Sequence, residues 1–509
     1  MDMATVARLN SARLSLVVAV ALTSGAAHAD KWLIDPYVSV SETYSTNMLF
    51  NADTKLTGLI SDVAPGVYVS GNGPRVKANV NYRLDNTYYE GHPEFNQSLN
   101  SLGSYATVNA LDSWLYVDAI ANIDQRDVSA FSARVADPSG GPRSRTETRT
   151  VQLSPYIRGM ASDVATYQLR YVAAQSNSND ASLANTKVNQ WIGSLKNASA
   201  GARVGWSADA DVTHARNSII GSLEDTRFRA ALTYAVVPQV NVSVSDGRER
   251  SNYASPTTQE LSTPGYGVNW SPSSHTQATA VAEKRFFGTG HSVLLTHRTA
   301  WTAWQYVDTK DSNVLTSLLA TPRQGGLDQL MSDLLVASIP DPLVRAQTVR
   351  GLLDQTATLA GVSAEAVQTS RVFVDRVRRA AAVFLGRRDT LTLTVDRTDE
   401  HAITDAPNIS DSFSLSNDIK QSAVGASWSH RLTRLVALNF SVAKLRTEGS
   451  GPGPEIHSVQ SADSLSLSFQ LSPHSTASLG VRTVRFDSNV EGNFTENAVL
   501  AAFVHHFRE

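Results

Sequence analysis

The chain has 509 residues, of which 42% are hydrophobic and 18% charged, with a formal net charge of −3 and no cysteine. The missing cysteines exclude disulfides, thiolate metal ligands and a cysteine nucleophile, and a pI near 6.5 provides no electrostatic basis for binding nucleic acid. A mean hydropathy of −0.19 is too low for a bundle of membrane helices, but it suits strands that present only alternate residues to lipid.

Residues 1–29 have the pattern of a secretory signal peptide. Arg8 and Arg13 precede an apolar run at 14–22, and the Ala-His-Ala of 27–29 supplies small residues for cleavage. The run is shorter than the roughly 20 residues that cross a bilayer as a helix. We therefore expect an exported chain that is cleaved after residue 29 and carries no lipidated cysteine.

From the leader to the last residues, apolar and polar side chains alternate with a two-residue period. Successive side chains of a strand point to opposite faces, so each burst predicts a strand with one apolar and one polar face. The clearest bursts are 76–84, 115–123, 165–173, 204–212, 228–236, 240–244, 391–395, 438–442 and 465–471. Weaker bursts lie near 34–44, 63–69, 102–110, 151–157, 189–195, 266–270, 278–282, 293–299, 424–428, 477–481 and 499–507.

The connectors between the bursts alternate between short and long. Short turns are predicted at 111–113, 197–200, 237–239, 271–275, 432–434 and 472–474, and long polar loops at 45–57, 86–97, 125–146, 175–187, 213–225, 246–263, 398–417 and 447–461. Such alternation is typical of outer-membrane barrels with short periplasmic turns, whereas a soluble β-sandwich has no reason to keep its long loops at one end. The predicted fold is all-β, an antiparallel transmembrane β-barrel of about 20 strands, in a range of roughly 18 to 22.

Aromatic residues lie near many predicted strand ends, where the membrane meets water. They are Tyr44, Tyr88, Tyr89, Trp114, Tyr116, Trp270, Trp301, Trp304 and Trp428. The last predicted strand ends at Phe507, followed by Arg508 and Glu509, and resembles the terminal signal of barrels, which usually end on the aromatic itself. We expect outer-membrane lipid and the barrel-assembly machinery as partners.

The period changes to about 3.6 between residues 308 and 388, which separates barrel segments 30–307 and 389–509. A first helix is predicted from an apolar stripe at 327–335, a second follows Pro340 and Pro342 and ends at Gly361, and a third runs from Ser363 towards Phe384. The order of connectors puts this small α-helical insertion on the periplasmic side. It either gates or plugs the pore, docks a periplasmic partner, or packs only on itself.

The third predicted helix is basic and carries Arg371, Arg376, Arg378 and Arg379. One interpretation is a docking or gating surface that contacts an anionic partner. The other is a solvated helix face without a binding role.

A second basic set falls on the polar face of predicted strands and is expected to line the lumen. Its members are Lys77, Arg83, Arg158, Arg170, Arg203, Arg227 and Arg229. Rings of charge set selectivity in pores, so these residues could guide anionic solutes. The alternative is an internal salt-bridge network with Asp85, Asp118, Asp209 and Asp396.

Motifs of enzymes are missing from the sequence. It has no Gly-x-Ser-x-Gly elbow, phosphate loop or His-Glu-x-x-His helix. His-Ser pairs begin at His291, His457 and His474, and Asp209 and Asp211 share a strand face, yet neither feature distinguishes catalysis from ordinary barrel residues. We predict no enzymatic activity, no cofactor and no metal site.

Short motifs at the start of the mature chain carry a family resemblance. These are Trp32-Leu33-Ile34-Asp35-Pro36, the run Val40-Ser41-Glu42-Thr43-Tyr44-Ser45-Thr46-Asn47, and Asp62-Val63-Ala64-Pro65-Gly66-Val67, joined later by Pro340-Asp341-Pro342 and Arg387-Arg388-Asp389-Thr390-Leu391. The mature chain resembles the PEP-CTERM-system-associated outer-membrane proteins of bacterial exopolysaccharide loci. That family usually has Thr-Asp-Asn where this chain has Ser45-Thr46-Asn47, so no role of the aspartate is carried over.

The resemblance implies an outer-membrane barrel of Gram-negative bacteria that works in exopolysaccharide export or assembly, as a conduit or accessory component. It implies polysaccharide and periplasmic export proteins as partners and supplies no catalytic residue. A general diffusion porin and an outer-membrane hydrolase are the alternatives. A closed barrel has no free edges, so a monomer is expected.

Overall fold

A computed structural model describes residues 32–111, 113–127, 129–134, 145–180, 183–197, 203–255, 257–313, 327–335, 364, 369–404, 411–451 and 453–507. The signal peptide and the whole of the predicted second helix lie outside these residues. The strands are β1 (Trp32–Ser45), β2 (Gly58–Asn72), β3 (Val76–Tyr89), β4 (Gln97–Leu111), β5 (Leu115–Asp127), β6 (Arg145–Ala161), β7 (Ala165–Ser178), β8 (Thr186–Asn197), β9 (Val204–Asn217), β10 (Gly221–Val237), β11 (Val240–Ser251), β12 (Gln259–Ser262), β13 (Gly265–Ser273), β14 (Thr276–Arg285), β15 (Gly288–Arg298), β16 (Thr302–Asn313), β17 (Phe373–Leu385), β18 (Asp389–Ala402), β19 (Asp418–Arg431), β20 (Val436–Ser450), β21 (Ile456–Ser472), β22 (Ser475–Ser488) and β23 (Phe494–His506). The helices are α1 (Leu327–Leu335), α2 (Ser412–Leu415) and a 3-10 turn at Pro93–Phe95.

The strands close into one antiparallel barrel. Each pairs with its neighbours in sequence, and β1 pairs with β23 from Tyr37 opposite His506 to Ser45 opposite Ala498. Because β12 and β13 both pair with β11, they occupy a single position in the wall, and the described strands make a barrel of 22. The predicted antiparallel barrel is thereby confirmed.

The wall separates an apolar outer face from a polar inner face. On β18, Leu393 and Val395 are exposed on the outside, whereas Thr392, Asp396 and Thr398 are buried on the inside. Exposed apolar side chains at this density would aggregate in water, and a lipid environment accounts for them. This is the architecture of an outer-membrane β-barrel.

The two ends of the barrel differ. At one end, called the short-turn end, the chain enters β1, leaves β23 and connects neighbouring strands through tight turns such as residues 238–239 and 473–474. At the other, called the long-loop end, lie the longer connections, including 46–57, 403–417 and the segment between β16 and β17. Strands of up to 17 residues exceed the roughly 9–11 needed to cross a bilayer.

Two expectations about the insertion are wrong. Residues 308–313 and 373–385 belong to β16 and β17, so the third predicted helix towards Phe384 is a strand in the barrel wall. Pairing of β17 with β16 and β18 along its whole length overrides the helix propensity of its alanines and arginines. The connection from β16 to β17 also starts at the long-loop end, not at the predicted periplasmic end. The first predicted helix agrees with α1.

Candidate functional site

The helix α1 lies inside the barrel. Its apolar side chains Leu330, Met331, Leu334 and Leu335 are buried against Ala303, Ala381 and Val383, which face inwards from β16 and β17. Ala303 is the second residue of β16, so α1 reaches the short-turn half of the lumen although its segment leaves the wall at the opposite end. Burial of each of these Leu and Met side chains stabilises the packing of α1 against the wall by up to about 3 kcal/mol. The insertion therefore fills part of the pore.

A second obstruction is the segment 129–134 between β5 and β6, here called the crossing segment. Phe131 packs with Phe373, Phe413, Ile419 and Ile456, which belong to the wall and loops almost opposite β5. The approach is close, because a Cβ at Gly449 on β20 would lie 2.6 Å from the Phe131 ring. The crossing segment thus spans the lumen at the long-loop end.

Hydrogen bonds hold the crossing segment on its far side. The Ala130 amide donates to Ser412 Oγ at 2.9 Å, and the Arg134 amide donates to Gln460 Oε1 at 2.8 Å. The Gln460 side chain is fully buried and also donates to the Arg134 carbonyl at 2.5 Å. The satisfied amide makes this anchor costly to break.

An ion pair between Arg371 and Asp411, here called the latch, joins the residues that precede β17 to the β18–β19 loop. Arg371 Nε lies 3.2 Å from Asp411 Oδ2, and both side chains are buried. Asp411 also accepts from the Ser414 amide at 3.0 Å as the N-cap of α2. Next to Arg371, Ser370 accepts the Ala184 amide at 2.6 Å. The latch therefore ties the β18–β19 loop to the residues that precede β17, and the neighbouring Ser370 connects these residues to the β7–β8 loop.

Aromatic and cationic side chains share the inner face of β4 to β7, here called the tyrosine–arginine wall. Tyr116 and Tyr156 stack with ring centroids 5.1 Å apart, Arg158 lies 4.3 Å over Tyr116, and Arg170 lies 4.0 Å over Tyr156. Tyr105, on the same face, is 46% exposed, so water reaches this surface. Cation–π contact stabilises such pairs by about 0.5–2 kcal/mol.

The inner face of β9 to β16 carries more carboxylates than arginines and is called the acidic wall. Arg229 pairs with Asp209 at 3.0 Å, Arg227 with Glu283 at 3.3 Å, and Arg285 with Glu249 at 2.7 Å. Three arginines are thus set among Asp209, Asp211, Glu249, Glu283 and Asp311. An excess of carboxylates remains on this side of the lumen.

The structure places most of the predicted lumenal cations on the inner face. Those paired with a carboxylate are Arg83 with Asp85, Arg170 with Asp118, Arg227 with Glu283 and Arg229 with Asp209. Lys77 and Arg158 also face inwards, and Arg203 lies at the start of β9, where its carbonyl accepts the Ala235 amide. Within the described chain, Lys77, Arg158 and Arg203 form no salt bridge with a carboxylate.

The four arginines assigned to an insert surface do not lie together. Arg371 forms the latch, and Arg379 pairs with Asp396 inside the barrel at 2.5 Å. Arg376 and Arg378 point outwards from β17, towards lipid. A single docking or gating surface made of these four residues is therefore wrong.

The candidate catalytic groups have structural partners. Asp211 accepts from Gln190 at 2.8 Å and from Thr213 at 2.9 Å, while Asp209 is paired with Arg229. Among the residues that the structure describes, no three His, Asp or Glu side chains gather as metal ligands. No helix within those residues is long and apolar enough to cross a membrane.

Comparison with known proteins yields similarity in structure but not in sequence. No protein-family model and no curated protein matches the sequence. The FrpB iron transporter from Neisseria meningitidis aligns over 94% of this chain and 82% of that chain, with 9% identity and a TM-score of 0.49. The siderophore receptor PirA from Pseudomonas aeruginosa aligns over 93% and 80%, with 8% identity and a TM-score of 0.43. OccK3 from Pseudomonas aeruginosa aligns over 93% and 96%, with 10% identity and a TM-score of 0.32. The fold assignment rests on the strand pairing of the chain itself.

Proposed function

We propose that this chain is a non-enzymatic conduit or assembly component for exopolysaccharide in the outer membrane of a Gram-negative bacterium. The observation that supports it best is a polar lumen that is partly filled by α1 and by the crossing segment. A signal peptide would direct export, the barrel-assembly machinery would insert the barrel, and periplasmic export proteins would deliver polymer to the short-turn end.

The number of strands allows a wide pore. Twenty-two strands spaced by about 4.8 Å and tilted by about 40° would enclose a circle about 40 Å across, but Val372 beside β17 packs with Val172 of β7, so the opposite walls approach each other at the long-loop end. A pore of that size left open would pass solutes without control. The crossing segment and α1 supply the closure that a polymer conduit needs when it is idle.

The lumen chemistry favours an acidic sugar chain. Tyrosine rings pack against the apolar faces of sugar rings, and guanidinium groups bind carboxylates through two hydrogen bonds. The acidic wall repels a polyanion and steers it to the tyrosine–arginine wall. Polysaccharide as the substrate comes from the family resemblance, and its acidic character comes from these two walls.

A general diffusion porin is the second candidate, and the polar lumen favours it. It differs in predicting steady conductance in the resting barrel. The crossing segment and α1, which occupy part of the lumen, favour the gated conduit.

Current block in planar bilayers tests the proposal. Oligomers of a uronic acid added at the short-turn side should reduce the residual current more than neutral oligomers of equal length. The variant Tyr116→Ala/Tyr156→Ala should lose most of this difference, whereas Tyr234→Ala, on the outer face of β10, should retain it. Equal block by acidic and neutral oligomers in the wild type would contradict an acidic polymer.

A further inference from the structure

Three arginines lie on the outer face of β17 and β18, on the membrane side of the wall. In the pairing of β16 with β17, Tyr306 lies opposite Ala380, and Asp308 lies opposite Arg378. Alternate residues share a face, so Arg376 and Arg378 lie on the side of the exposed Tyr306, away from Arg379. Arg397 likewise follows the exposed Val395 on the outer face of β18.

These arginines form a connected patch with an excess of positive charge. Arg376 pairs with Asp308 at 2.7 Å, and Arg378 and Arg397 share Asp399. Lys310, paired in register with Arg376, lies on the same face. The outer arginine patch consists of Arg376, Arg378, Arg397 and Lys310. The carboxylates that pair with it are Asp308 and Asp399. His291 also contacts Asp308, at 3.0 Å.

The position of the patch along the strands identifies what it faces. Towards the short-turn end, the outer face continues with Tyr306, Ala382, Val395 and Leu393, which belong to the apolar band. Arginine or lysine on a lipid face costs about 2–4 kcal/mol at the bilayer midplane but only about 0–1 near the interface. The patch therefore lies at the edge of the band nearer the long-loop end, where headgroups of the outer leaflet are located.

We propose that the outer arginine patch binds the phosphate groups of a phosphorylated glycolipid in the outer leaflet. Planar guanidinium groups bind phosphate through paired hydrogen bonds, and the three arginines offer more donors than the two aspartates accept. The side chains of Arg376, Arg378 and Arg397 remain 38%, 30% and 46% exposed, so guanidinium N–H groups are accessible to a headgroup oxygen. The adjoining apolar strip of Leu393 and Val395 supplies a surface for acyl chains, which free phosphate does not use. This inference is independent of the proposed function.

Lipid binding by the purified full-length barrel in detergent tests the inference. The probes are bis-phosphorylated lipid A and the same lipid A after removal of both phosphates, each measured by native mass spectrometry. The wild type should bind the phosphorylated form at least about tenfold more tightly, since several charge-assisted hydrogen bonds are lost with the phosphates. Equal binding of the two forms would overturn the inference without recourse to any variant.

Variants locate the site. Arg376→Gln/Arg378→Gln/Arg397→Gln should lose most of the preference for the phosphorylated lipid. The matched control Arg149→Gln/Arg248→Gln/Arg446→Gln removes three arginines that each pair with a single Glu, and it should keep that preference. A patch variant that binds like the wild type would refute the site.

A competition arm distinguishes the source of the phosphate. Inorganic phosphate in millimolar excess should leave lipid A bound, because it lacks the contact with the apolar strip. Full displacement by inorganic phosphate would show an anion site and overturn the assignment to a lipid.

Discussion

Breaking the latch should open the barrel. In Asp411→Ala, Arg371 stays buried but loses its carboxylate, and the N-cap of α2 is lost with it. Removing one partner of a buried ion pair costs about 3–5 kcal/mol, and loss of an N-cap adds about 1 kcal/mol. A shift of about 4 kcal/mol changes the ratio of closed to open mouth by about a thousandfold.

Single-channel conductance in planar bilayers measures this change. The wild type should show a small, mostly quiet current, and Asp411→Ala should show frequent large openings. Glu448→Gln is the matched control, because it breaks the exposed pair with Arg446, which is worth only about 0–1 kcal/mol. Unchanged current in Asp411→Ala, or a wild type that is already fully open, would refute the reasoning.

A compensating variant separates loss of closure from general damage. Arg371→Met/Asp411→Leu removes both charges and leaves apolar groups in the buried site. Replacement of a buried ion pair by apolar residues is often neutral or stabilising, so the double variant should be quieter than Asp411→Ala. Openings as frequent as in the single variant would show that the N-cap, and not the ion pair, holds the mouth.

Other parts of the closure and the wall give further predictions. Phe131→Ala should raise the conductance, because loss of this buried ring costs about 3–5 kcal/mol; an unchanged current would exclude the crossing segment as an obstruction. Because the chain has no cysteine, the double variant Ala303→Cys/Met331→Cys should form a single disulfide between α1 and β16 under oxidation. In the Asp411→Ala background this disulfide should lower the current, because it holds α1 in the lumen. Failure to cross-link would contradict the position of α1. Leu393→Lys, on the outer face of β18 and four residues from both Asp389 and Arg397, should destabilise the barrel by about 2–4 kcal/mol, whereas Thr394→Lys, facing the lumen, should cost much less. Equal effects measured by urea unfolding in lipid would refute the assigned faces.

The membrane-spanning part of the wall follows from the sequence because one face must be apolar and the other polar. On β21, for example, Leu465 and Leu467 alternate with Ser464 and Ser466, and the strand is where this pattern predicts it. Nearer the long-loop end both faces leave the lipid, so the requirement for alternation ends. The strands β9 and β10 accordingly continue through most of the predicted loop at 213–225.

The error in β17 has a different physical origin. Its inner residues Ala381 and Val383 pack on α1, and its outer face carries Ala380 and Ala382. Small apolar residues on both faces erase the two-residue period, and alanine with arginine imitates a helix. Each strand of an antiparallel barrel carries the chain from one end to the other. With β17 assigned to the insertion, the sequence therefore predicts the wrong end for the connection between β16 and β17.

The sequence around the residues that obstruct the lumen does not indicate which residues they contact. Arg371 and Asp411 lie 40 residues apart, and nothing near either residue indicates the other. Phe131 was detectable in principle as a large apolar residue inside a polar loop, which is expensive to leave in water. The sequence does predict, as one alternative, an internal salt-bridge network that includes Asp85 and Asp118, because the strand phase puts these residues on the face of the lumenal arginines; the individual pairs with Arg83 and Arg170 come from the structure.

The most direct test of the proposed function is the location of exopolysaccharide in cells that lack this chain. We expect polymer to accumulate in the periplasm and to be depleted at the cell surface, with both effects reversed by the wild-type gene. Equal amounts in both places in deletion and wild-type cells would contradict a role in export and leave the general porin as the better explanation.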